Sequence, residues 1–168
     1  MTRVPPPRGY KKRINGIPKS YQCPNFLHIY IVMGVVALHK DMPKIKIEFE
    51  GVGSLNGEID ESLNPRTANE IIDSLPIQGK AMTWGEEIYM MVSFKVPTEM
   101  ASINVNVGDI AYWPDSPAIC FFYGKTPSSK SDAPEAFSAV NVVGKFDVKK
   151  DVLNAVKNGT KITIKKIR

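Results

Sequence analysis

The chain has 168 residues, of which 43% are hydrophobic, which suits one domain with a real core. Its formal net charge is +5, but the sign is unevenly placed. Residues 1–41 hold seven basic residues and one acid, whereas residues 42–168 hold fifteen basic and sixteen acidic residues. The body is therefore neutral, and its charge gives no reason to expect nucleic-acid binding there.

Residues 1–41 form a leader in two parts. Pro5-Pro6-Pro7 and Lys11-Lys12-Arg13 have the composition of disorder. Phe26 to Leu38 is almost wholly apolar, interrupted by His28. Three readings stay open: a tail or misassigned start ahead of Met42, a membrane-directed anchor through 26–38, or a helix packed on the body. The apolar run is short against the ~20 residues that a spanning helix needs, so a cytoplasmic protein is expected. The domain boundary is placed at residues 41 and 42.

In the body, Lys44 to Glu50 alternates polar and apolar residues, the pattern of a half-buried strand. Gly51, Gly53, Asn56 and Gly57 then signal a turn or hairpin. Asn64-Pro65 opens a helix, with Ala68, Ile71, Ile72 and Leu75 on one face and Pro76 as its stop. The chain turns strand-like after Gly79, and Glu87 to Val96 reads as one long strand closed by Pro97. Shorter strands follow at Ile103–Val107, Ile110–Trp113 and Ala118–Tyr123. Gly124 to Pro134 reads as an exposed loop, and Val140 to Phe146 as another strand. A second helix is expected from Lys149 to Lys157, with Val148, Val152, Ala155 and Val156 on one face and Gly159 as its cap. Thr160 to Lys165 alternates again. About eight short strands and two helices argue a mainly β closed barrel or sandwich.

The residue order adds a resemblance. Asn64-Pro65-Arg66-Thr67-Ala68-Asn69 is similar to the start of the first cyclophilin helix. Trp84 to Tyr89, Gly108 to Pro114, Ala118 to Pro127 and Val140 to Lys145 together resemble the small prokaryotic and archaeal cyclophilin-like family of stand-alone domains. The resemblance implies a closed eight-stranded β-barrel with a helix at each end, over most of residues 42–168. Cyclophilins isomerise X-Pro bonds with an arginine in a Phe-His-Arg motif. The corresponding stretch here, Trp84 to Tyr89, has acids and aromatics instead. Arg66 and Arg168 are the arginines of the body, and neither matches that motif.

The body also contains no histidine, which excludes Ser-His and Cys-His chemistry and histidine metal sites there. No catalytic residue, metal site or cofactor is therefore assigned. Cys120 sits in an apolar run and reads as a small buried hydrophobe. Of Glu86 and Glu87, alternation sends one inward, where it could hold an amine or guanidinium or act as a base. The candidate ligand groove consists of Trp84, Glu86, Glu87, Tyr89, Tyr112, Trp113 and Phe121. Arg66 could bind an anion at its helix start. The leading reading is a binding module for a small molecule or a proline-containing peptide. A divergent prolyl isomerase is the alternative, and a homo-oligomer with the aromatics at its interface is a third.

Overall fold

The computed structural model describes residues 27–32, 35–40 and 42–167. The basic, proline-rich start lies outside these, as do Phe26, Cys23 and Arg168. The chain divides into two units, Met1–Asp41 and Met42–Arg168. In the first, β1 (Leu27–Val32) and β2 (Val35–Lys40) form an antiparallel hairpin, registered from Leu27 opposite Lys40 to Val32 opposite Val35. The apolar run is thus strand where it is described, which corrects the helical reading. Among the described residues, no helix is long and apolar enough to cross a membrane.

The second unit carries β3 (Lys44–Phe49), β4 (Gly53–Ile59), α1 (Pro65–Asp73), β5 (Ile77–Lys80), β6 (Met82–Thr83), β7 (Glu87–Met91) and β8 (Ser102–Asn104). There follow β9 (Asp109–Trp113), β10 (Ala118–Phe122), β11 (Glu135–Phe146), α2 (Lys150–Ala155) and β12 (Lys161–Lys166). Ten strands form one antiparallel sheet in the order β5-β12-β3-β4-β11-β9-β10-β7-β6, with β8 paired to β11 beside that path. The architecture is mainly β with two helices in this unit.

The expected closed eight-stranded barrel needs correction. No ladder joins the two ends of the sheet. Those ends, β5 and β6, are consecutive pieces of residues 77–83, separated by Ala81. The Ala81 N–H donates to the Thr160 carbonyl at 2.8 Å, and its carbonyl accepts from the Gly159 N–H at 2.8 Å. The two ends thus meet through the covalent chain rather than through strand pairing. The strand count rises because glycine-punctuated stretches pair after all. Gly144 of β11 shows how: a Cβ there would collide with the Glu58 carbonyl, so the missing side chain lets β4 and β11 approach.

The main core follows the alternation. Ile45, Ile47 and Phe49 of β3, Ile162 and Ile164 of β12, and Ile88 and Met90 of β7 all point into it. From α1, Ala68 and Ile71 join them. The second helix is shorter than expected and ends before Val156, which is extended; Leu153 and Val156, rather than Ala155, fill the core. Gly159 has a positive φ of 89° but sits in the turn beyond this helix.

The long strand expected from Glu87 to Val96 stops at Met91. Beyond Met91 the chain leaves the sheet and satisfies buried polar groups. The Tyr112 hydroxyl accepts from the Val96 N–H at 3.0 Å and donates to the Phe94 carbonyl at 3.2 Å. Farther on, the Glu99 carboxylate accepts the N–H groups of Arg66 at 3.1 Å and Thr67 at 2.9 Å, at the start of α1. Asn64 makes no side-chain cap; it bonds Val142 and Met100 instead. The chain therefore supplies the anion at this helix start itself, in place of a ligand at Arg66.

Candidate functional site

Strands β7, β10, β9 and β11 lie side by side, so each alternate residue faces one of two environments. Ile88, Met90, Ile119, Phe121, Ile110 and Tyr112 face the main core. The opposite parity forms a second, smaller apolar cluster around Ala111, Cys120, Phe122 and Val140, with Tyr89 and Trp113 packed against it. A pocket of about 160 Å³ opens on this second face.

Its walls are aromatic. Trp84, Phe137, Trp113 and Tyr89 form a chain of edge-to-face contacts, with ring centroids 6.0, 6.0 and 6.5 Å apart. Successive rings stand nearly perpendicular, so they surround space rather than stack into a slab. The indole N–H of Trp113 donates to Ser138 Oγ at 2.7 Å, and Ser138 donates in turn to Asp115 at 2.7 Å. That relay fixes the Trp113 ring. Trp84 is placed by the turn between β6 and β7, where its N–H bonds the Glu87 carbonyl at 2.9 Å. Phe137 is 71% exposed and stands at the edge of the pocket.

The polar element is Glu87, only 6% exposed and lining the pocket with Cys120. Burial pushes its carboxyl up to about 7, opposed in part by a hydrogen bond from the Cys120 thiol. Burial, with the neighbouring Glu87 charge, also drives the Cys120 thiol upward. Cys120 is therefore a thiol at neutral pH and no activated nucleophile. Among the described residues, no cation pairs with Glu87.

Glu86, one residue earlier, faces elsewhere. Its carboxylate accepts the Lys150 ammonium at 2.7 Å and the Lys125 N–H at 3.0 Å. The Lys150 hydrogen bond, then the Lys125 N–H, hold it below the usual carboxylate range. Gly124 makes room for it, since a Cβ there would collide with the Glu86 carboxylate.

Of the residues expected in the groove, the structure brings together Trp84, Glu87, Tyr89 and Trp113. It separates the other three. Tyr112 and Phe121 have the opposite parity to Trp113 and Cys120 and are fully buried in the main core. Glu86 is bound to Lys150. Sequence reasoning missed Cys120 as a pocket residue, and it missed Ala136, Phe137, Ser138 and Val140. The available signal was the alternation in Glu135-Ala136-Phe137-Ser138-Ala139-Val140, just beyond the stretch read as loop. A register shift between Glu135 and Val140 marks an irregularity of β11 beside the pocket, a frequent companion of functional sites.

Known proteins share this architecture. The family profile named Cyclophilin-like matches residues 43–165. The solution structure of a hypothetical protein from Archaeoglobus fulgidus is similar, with 35% sequence identity and a TM-score of 0.64. The similarity covers 75% of this chain and 95% of the archaeal one. The curated proteins gave no match. The profile spans most of the chain, and the chain belongs to the Cyclophilin-like family.

Proposed function

We propose that this cyclophilin-like domain is a binding module that takes a small ligand, or one side chain of a peptide, into the aromatic pocket. The observation that carries the reading is a buried carboxyl group lining, with four aromatic rings in successive edge-to-face contact, a space of about 160 Å³. Apolar walls with few polar groups are the usual make-up of ligand sites. Chemistry is less well served. The pocket has no histidine and no arginine, and burial keeps the Cys120 thiol beside Glu87 protonated.

Heteronuclear NMR of the chain against a fragment library tests this. Shifts should gather on Trp84, Tyr89, Trp113 and Phe137 and vanish in Trp113→Ala. Shifts scattered over the rest of the surface would reject it. The isomerase alternative predicts accelerated proline turnover that Trp113→Ala removes. The binding reading predicts no acceleration. A dimer that dissociates on Phe137→Ala would instead assign the rings to a subunit interface.

A further inference from the structure

We infer that the ligand of this pocket carries an alkylated ammonium head group, held between the faces of Trp84, Tyr89, Trp113 and Phe137 and paired with the Glu87 carboxylate. This rests on the pocket being a binding site and adds the charge and substitution of what binds.

Three observations point the same way. First, a carboxyl group more than nine-tenths buried has no cationic partner among the described residues. A buried charge without a counter-ion is costly, so the chemical complement of this group is a cation brought from outside. An anionic ligand would be repelled by the carboxylate, and a neutral apolar one would add no counter-charge to the single hydrogen bond from Cys120. Second, aromatic faces attract cations through their quadrupole, most strongly where water is excluded, and indole is the best of them. Two of the four rings here are indoles.

Third, hydrogen-bonding capacity selects the substitution. A primary ammonium brings three N–H donors. The side-chain hydrogen-bond acceptors at the pocket are Glu87, the Tyr89 hydroxyl, the Cys120 thiol and Ser138. Ser138 is already engaged with both Trp113 and Asp115. A thiol is a weak acceptor. The Glu87 carboxylate and the Tyr89 hydroxyl can serve a primary ammonium, but four aromatic rings outnumber these acceptors; an alkylated ammonium, which presents methyl groups to the rings and asks only for charge, uses more of the lining. The volume fits a head group rather than a whole ligand: about 160 Å³ compares with the roughly 150 Å³ of an engineered apolar cavity that accepts benzene.

Two sources supply this chemistry, a free quaternary ion and a trimethyllysine side chain, and one experiment separates them. The full chain is titrated by NMR with choline, with its neutral isostere 3,3-dimethylbutan-1-ol, and with peptides carrying trimethyllysine or unmodified lysine. Choline should bind about tenfold or more tightly than the isostere, as expected for desolvated cation–π and charge pairing. In Glu87→Gln that preference should shrink by about tenfold while the isostere still binds. Phe137→Ala, at an exposed position, should weaken choline without unfolding the chain. Tighter binding of the trimethyllysine peptide than of choline identifies a peptide source, and the reverse a free ion; both support the proposal. An isostere that binds as well as choline overturns the cation and leaves the pocket reading intact. No shift at the pocket with any probe overturns both.

Discussion

The two faces of β7, β10 and β9 share one backbone and differ only in parity. Facing the main core are Ile88, Met90, Ile119, Phe121 and Tyr112, with Phe94 stacked on Tyr112 at a centroid distance of 5.8 Å. On the other face are Glu87, Tyr89, Cys120 and Trp113, which stop short of filling their space and leave a pocket. Both faces are apolar enough to bury, so hydrophobicity alone does not distinguish them. They differ in what is left over: the inner face holds one hydroxyl with both bonds made, and the outer face holds a carboxyl without a counter-ion. A core satisfies its polar groups internally, and a binding face leaves one for a guest.

Substitutions can break or sharpen this contrast. The largest effect is expected from Phe121→Ala, which opens a cavity in the main core beside Phe146, whose ring meets it edge to face at 5.7 Å. About 3–5 kcal/mol of stability should be lost in urea unfolding.

Next is Glu87→Gln, whose effect depends on pH. The folded carboxyl sits near 7 against an ordinary value of 4.5, so the native state holds a proton that the unfolded chain releases first. That raised acid favours folding fully only below the unfolded value, and its contribution is lost as pH rises from about 4.5 through 7. Glu87→Gln should therefore gain up to about 3 kcal/mol over the wild type at pH 8 relative to pH 4. The other titratable side chains lining the pocket are Tyr89 and Cys120. Melting curves across this range give the answer, and parallel curves for the two proteins would remove the buried charge from the outer face.

Tyr112→Phe comes third. It deletes the hydroxyl that ties Phe94 and Val96 to the core and should cost about 1–3 kcal/mol, since the Val96 N–H is left without its acceptor. Smallest is Phe137→Ala: a side chain 71% exposed should change stability by less than about 0.5 kcal/mol, while altering binding at the pocket.

This contrast also shows what a sequence can carry. Alternation in Lys44–Glu50 and Thr160–Lys165 was legible because each strand has a polar side, which fixes its parity. In Ala118–Phe122 every residue is buried, so the sequence pattern could not say whether Cys120 or Phe121 meets the core. Tyr112 and Trp113 are neighbours and had to part company, but only the register with β10 and β11 tells which goes where. The missing contributors, Ala136 to Val140, arrive from a strand whose first residues look like loop. Glu99 was invisible for another reason: its role depends on an irregular segment crossing the start of α1, a contact between residues 32 positions apart. The open ladder was likewise hidden, since nothing local marks residues 77–83 as both ends of one sheet.

The position of β12 has a consequence for synthesis. This strand lies between β3 and β5, pairing Ile164 with both Ile47 and Ile77. Everything from β3 to α2 leaves the ribosome first, yet β3 and β5 stay bare edges until residues 161–166 emerge. A nascent chain halted before Lys161 therefore exposes two adhesive strand borders. The domain stays most vulnerable until β12 has emerged and paired with both of them.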